Sequence, residues 1–140
     1  MCKGRVMTDA PPPGDFSAPP PRSFTIAEAR ALVPDLRRLA DELIEVRADL
    51  TGARHRVDPP AARADLKAME AQLSDLLDRI ALLGVQVKGW APLLVDFPMV
   101  RGDRVVLLCW LEGDEDLAWF HDADHGFAGR RPLDRLDPDR

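Results

Sequence analysis

The chain has 140 residues and carries 19 lysines and arginines against 24 aspartates and glutamates, a formal net charge of -5. That length holds one compact domain with a small core and leaves no room for a second. The acidic balance argues against nucleic acid as a partner, because a sequence-independent grip on phosphates needs a cationic surface.

The opening stretch, residues 1–22, contains Pro11 to Pro13 and Pro19 to Pro21. It cannot bury enough apolar surface to offset ordering, so it reads as a disordered, polyproline-like tail, with a proline-recognition ligand as the functional alternative. No apolar stretch follows Lys3 and Arg5, so no secretory signal is expected, and nothing before Met7 separates Met1 from Met7 as the start. Cys2 and Cys109 are the two cysteines. A disulfide framework is not expected from them, and the expected compartment is a reducing cytoplasm.

Order is expected from Ser23. Thr25 with Glu28 three residues later forms a capping box that starts a helix. Leu32, Leu36, Leu39, Leu43, Val46 and Leu50 then alternate by three and four, a heptad seam. Pro34 interrupts it and predicts a kink or restart near Val33. Thr51 to Pro60 breaks the pattern, and Asp58 before two prolines predicts a second N-cap. Ala62, Leu66, Met69, Leu73, Leu76, Ile80 and Leu83 form the second seam, which Gly84 closes with a left-handed cap. The seams are twenty-two residues each, about 33 Å, and the short loop between them predicts an antiparallel helical hairpin over residues 25–83. Val33, Ala40, Ile44 and Leu77 widen its apolar stripe beyond what one partner helix needs. The expected cover is the rest of the chain, a second copy of the hairpin, or both.

After Gly84 the period becomes two. Val85 and Val87 alternate with polar residues, Leu93-Leu94-Val95 leads into Asp96-Phe97-Pro98, and Arg101-Gly102-Asp103 is a turn. Val105 to Leu111, the longest apolar run, is far short of the roughly 20 residues that span a bilayer, so no membrane segment is expected. Arg104 to Leu111 instead predicts a central strand covered on both faces. Glu112 to Glu115 turns the chain and Asp116 to His121 returns as its mate. The expected architecture is α+β: a long, coiled-coil-like antiparallel helical hairpin packed on an antiparallel meander of about three strands, residues 84–133 supplying sheet and C-terminal loop, all one domain over 23–140.

Several stretches resemble one family in the same order: Phe24-Thr25-Ile26 with Leu32-Val33-Pro34, Gly84 to Lys88, Val95-Asp96-Phe97-Pro98, Cys109-Trp110, Trp119 with His121, and Gly126 to Arg130. Over roughly Phe24 to Leu133 the chain is similar to a bacterial and archaeal domain-of-unknown-function family, number 2203. Gly89 and Leu93 depart from its pattern, where an acid and a glycine are expected, which marks the first strand connection as the place of difference. The resemblance implies no activity and no catalytic roles.

The chemistry-bearing residues crowd the last third. A divalent metal can be held by Cys109, His121 and His125, with Asp122 or Asp124 beside them, although one cysteine and no His-Glu-x-x-His helix argue against a structural zinc site within one chain. Register decides whether Cys109 and His121 share a face: they do if Cys109 pairs with Trp119. The simpler account makes Cys109 a small buried apolar residue and His121 a strand end. An anion can be held by Gly126, Gly129, Arg130 and Arg131, through exposed amides and guanidinium forks. The plainer alternative folds this loop over the sheet, with Phe127 in a pocket and the arginines paired to Asp134, Asp137 or helix carboxylates. Trp110 and Trp119 complete that ligand set with His121 and His125. Asp96, a lone acid between Val95 and Phe97, can serve as a catalytic carboxylate, although such an acid more often caps a turn or pairs with an arginine. Nucleophilic catalysis has only a Cys109–His121 dyad to offer, and a thiol in an apolar strand should have a raised pKa, the wrong direction. The favoured function is a non-catalytic homodimeric scaffold or interaction protein with no required cofactor. The alternative is a small-ligand or metal-binding protein, enzymatic or not, with its site around His121, His125 and the Gly126–Arg131 loop.

Overall fold

The computed structural model describes residues 22–55, 60–124 and 126–136. The expected tail up to residue 21, the expected cap at Asp58 and His125 lie outside them. Helix α1 spans Ile26–Arg54 and helix α2 spans Pro60–Ala81. Strands β1 (Gln86–Trp90), β2 (Leu93–Arg101), β3 (Arg104–Leu111), β4 (Trp119–Asp122) and β5 (Arg131–Pro132) follow. They form one antiparallel sheet in the order β1-β2-β3-β4-β5. The fold is α+β, with five strands where the pattern predicted about three.

The capping box at the start of α1 is complete: the Glu28 amide donates to Thr25 Oγ1 at 3.0 Å and the Thr25 amide to Glu28 Oε1 at 2.9 Å. No restart occurs at Pro34, which lies inside one continuous helix. A proline inside a helix, through its missing hydrogen bond and the clash of its ring, costs about 3 kcal/mol. Burial of Val33, Leu36, Leu39 and Leu43 on the core side outweighs it, at roughly 1.5–3 kcal/mol for each large side chain. The Pro34 ring itself is exposed, so water can reach the carbonyl it orphans. The helix also runs past the expected break, through Gly52 to Arg54, because buried Ala53 continues its apolar stripe. Helix α2 packs on α1 through Leu73, Leu76 and Ile80. It ends before Leu82, and Gly84 caps it at φ +98°, a left-handed conformation that costs other residues about 1–2 kcal/mol.

The sheet has two unlike faces. Val95 and Phe97 of β2, Val106, Leu108 and Trp110 of β3, and Phe120 of β4 point to the helices and join their core. Asp96, Cys109, Trp119 and His121 stand on the other face, because Asp96 pairs with Cys109, Cys109 with Trp119, and Leu107 with His121. Strand β2 runs unbroken from Leu93 to Arg101. Pro98 does not end it, because its missing N–H lies on the side that β1 leaves unpaired; there its carbonyl accepts the Phe24 amide at 2.8 Å. A two-residue β5 has no periodicity to read and is fixed only by its pairing to Trp119 and Phe120.

At the far end, Arg47 of α1 grips Glu112 with two hydrogen bonds of 2.8 and 2.7 Å and donates to the Trp90 carbonyl at 2.7 Å. The Glu112 carboxylate also accepts the Leu93 amide at 2.9 Å. Its pKa falls below the ordinary carboxylate value, chiefly through the Arg47 hydrogen bond. This clamp fixes the helix to the β1–β2 turn, which contains the cis Ala91–Pro92 peptide. Among the described residues no helix is long and apolar enough to cross a membrane.

Candidate functional site

Three adjacent strands each give one donor to a buried cluster on the outer face: Asp96 from β2, Cys109 from β3 and His121 from β4. A carboxylate oxygen, the thiol sulfur and a ring nitrogen all lie within 4.8 Å of one another. Exposure is 1 % for Asp96, 0 % for Cys109 and 4 % for His121. A strand alternates its side chains with period two. The Cys109–Trp119 register therefore decides the arrangement, because His121 lies two residues beyond Trp119 and shares its face.

His121 is fixed at both nitrogens. Nδ1 lies 2.9 Å from the Asp122 carbonyl, which can only accept, so Nδ1 carries the proton. Nε2 is turned into the cluster, 3.2 Å from Asp96 Oδ2. Lys88 Nζ comes to 4.0 Å of the same oxygen. It stands on that side because Lys88 lies two residues beyond Gln86, the register partner of Asp96, and so shares its face. Among the described residues Asp96 therefore neither caps a turn nor pairs with an arginine. Its Oδ1 is buried with no hydrogen-bond partner among the described residues. Burial raises the Asp96 pKa above its ordinary value, against the lowering influence of His121 and Lys88.

The Cys109 thiol is pushed up to about 11, first by burial and then by the Asp96 carboxylate, with Arg130 acting in the opposite sense. Arg130 Nη1 stands 3.9 Å from Cys109 Sγ, and its guanidinium lies over the Trp119 ring at 4.4 Å. A nucleophilic dyad finds no support in this geometry, because the His121 ring is turned toward Asp96 and the Asp122 carbonyl. The raised thiol pKa points the same way.

A cavity of about 230 Å³ opens beside the cluster. Asp96 and His121 form part of its wall with Lys88, Leu107, Asp124 and Gly126. The chain after β4 thus returns across the outer face. The Gly126–Arg131 segment contains a 3₁₀ turn, Phe127–Gly129, in which the Gly129 amide is used by the Gly126 carbonyl. Arg131 lies over the Phe120 ring at 4.9 Å and reaches Asp122 at 3.4 Å, not Asp134. The Phe127 side chain and Asp137 lie outside the described residues.

Of the residues singled out in the sequence, Cys109, Trp119, His121 and Arg130 meet on the outer face. Trp110 is on the opposite face, in the core, with its ring N–H donating to the Asp114 carbonyl at 3.0 Å. Asp122 also points away from the cluster, its carboxylate held by Arg104 at 2.7 Å. Asp96 and Lys88 were absent from the predicted set. Reading β2 unbroken through Pro98 would have set Asp96 opposite Cys109, and the alternation after Gly84 already put Lys88 on the face of Gln86; only the pairing of Gln86 with Asp96 had no signal in the sequence.

Compared with known proteins, residues 22–133 match a family model described as "Uncharacterized conserved protein (DUF2203)". No curated protein and no solved structure matches the chain.

Proposed function

This chain belongs to the DUF2203 family of uncharacterized conserved proteins, and we propose, from the geometry of its own residues, that it binds a divalent transition metal of the zinc class through Asp96, Cys109 and His121. One observation carries the reading: three unlike donors converge in a buried cluster while Asp96 Oδ1 has no partner there. A buried acceptor without a partner calls for an ion or a water. Thiolate, imidazole and carboxylate together suit zinc or cobalt better than magnesium or calcium.

The histidine supports it further. A metal-binding imidazole characteristically donates its second N–H to a carbonyl or carboxylate, which orients the ring, as His121 Nδ1 does toward Asp122. Metal bonds of about 2.0–2.3 Å place tetrahedral ligand atoms roughly 3.5 Å apart, so the donors need to close by about 1 Å. Thiolate and carboxylate charges neutralise a dication, and the half-exposed Lys88 is free to swing into solvent. Three protein ligands leave a fourth position toward the cavity that Asp96 and His121 wall. That position suits a water or small ligand. A reducing cytoplasm keeps Cys109 a thiol, and residues 23–140 act as one unit in this reading.

The test is a cobalt(II) titration of the full chain, followed by desalting and metal analysis, with zinc competition. One bound equivalent with thiolate-to-cobalt charge-transfer absorption is expected. Both should be lost in Cys109→Ala and in His121→Ala. Absence of retained cobalt, or equal retention in both folded variants, overturns the reading.

A second reading, a homodimeric scaffold built on a coiled-coil-like hairpin, is favoured by one feature. Val100 and Val105 are cross-strand partners and stay 56 % and 42 % exposed, an apolar pair at the sheet end that a second copy can cover. Sedimentation at micromolar concentration should give a dimer that Val100→Lys with Val105→Lys dissociates. A monomeric parent chain rejects it.

A further inference from the structure

A second cavity, larger than the one beside Cys109, lies on the helix-facing side of the sheet, at the β2–β3 turn. Its volume is about 430 Å³, and Arg101, Arg104, Arg131 and Arg135 all line it, with Asp103, Phe120 and Leu136. The fold makes this convergence from four separate places. Arg101 ends β2 and Arg104 begins β3 directly opposite it. Arg131 pairs with Phe120 across β5 and β4, and Arg135 belongs to the 3₁₀ turn Leu133–Arg135 that closes the cleft.

Four like charges in one cleft of an acidic protein repel one another unless something anionic compensates them. Within the cleft, Asp103 is one compensating group, and the Asp122 carboxylate beside it takes Arg104 at 2.7 Å and Arg131 at 3.4 Å. Among the described residues, four guanidiniums against two carboxylates leave two positive charges in excess. Moreover, Nη2 of Arg101 is buried with no hydrogen-bond partner among the described residues. A buried N–H donor without an acceptor is costly, and an oxyanion in the cleft would supply one.

We infer that this arginine-lined cleft binds a small organic molecule carrying a phosphoryl group. A phosphate monoester carries about two negative charges near neutral pH, which matches the excess. Guanidinium forks meet its oxygens in pairs. Phe120 and Leu136 offer an apolar wall for the uncharged remainder, and the volume is within the range of small-molecule sites. This site is separate from the Asp96–Cys109–His121 cluster and does not depend on it.

Isothermal titration of the full chain with phenyl phosphate, inorganic phosphate and succinate tests the inference. Phenyl phosphate should bind saturably at one site, and inorganic phosphate and succinate more weakly. Arg101→Gln and the exposed Arg135→Gln should each weaken phenyl phosphate about tenfold, with Arg38→Gln on α1 unchanged. Arg135→Gln keeps the test decisive should Arg101→Gln fail to fold. No saturable binding up to millimolar concentration overturns the site. So does equal affinity in Arg135→Gln, or an equal loss in Arg38→Gln. Succinate binding as tightly as phenyl phosphate overturns the phosphoryl assignment.

Discussion

Cobalt or zinc affinity should rise about tenfold for each pH unit between about pH 6 and 9, roughly a thousandfold in all, because each metal ion must displace one proton from Cys109. The sign follows from the thiol. Its pKa stands at about 11, so across this range the metal-free protein holds the proton and the bound form does not. Raising the pH removes that competition, and the slope should flatten only near the thiol's own pKa. Asp96, whose pKa burial also raises, adds a second proton competitor at the acid end, where the dependence should steepen. Competition with a chromophoric chelator at several pH values measures it. In Cys109→Ala any residual binding should lose the unit slope, and an affinity flat with pH in the parent protein would exclude the thiolate as a ligand.

Phe97→Ala should lower the free energy of unfolding by about 3–5 kcal/mol, a large fraction of the 5–15 kcal/mol of an ordinary domain. Phe97 is 0 % exposed and meets Phe24 edge to face, with ring centroids 5.2 Å apart at 81°. It faces the helices, and beside it β2 takes the Phe24 amide at Pro98. Truncation therefore opens a cavity where sheet, helices and the segment before α1 meet, and none of them can close it without losing its own backbone pairing. Urea denaturation of the variant reads the loss directly. A change below about 1 kcal/mol would contradict the enclosed position of this ring.

The helices were legible because their signals are local and redundant. Thr25 with Glu28, the apolar repeat from Leu32 to Leu50 and Gly84 each carry a mechanism within a few residues. What failed was of another kind. Pro34 and Gly52 are breakers by intrinsic propensity, and tertiary burial of Val33, Leu36 and Ala53 overrode them. Asp96 and Pro98 disguised the length of β2, and β5 is too short to have a pattern. For the site, sequence alone gave the condition that brings Cys109 and His121 to one face, and the Cys109–Trp119 pairing meets it. Counting back from the Arg101-Gly102-Asp103 turn along an unbroken strand sets Asp96 opposite Cys109; Pro98, a residue disfavoured inside sheets, stood between the two and hid it.

The arrangement of the sheet margins also bears on how copies of the chain can meet. A strand left open along its length invites another chain to add to it by backbone bonding, the route to aggregation. Here β5 offers two residues, β1 is kinked at its bulge with Lys88 beside it, and beyond β1 the backbone of β2 is occupied by Phe24 and, through the Val100 amide, by the Ser23 hydroxyl at 3.2 Å. The described margins are therefore poor templates for strand addition. Among the described residues, the surface open to a second copy is thus one of side chains, such as Val100 and Val105, and not of strand backbone.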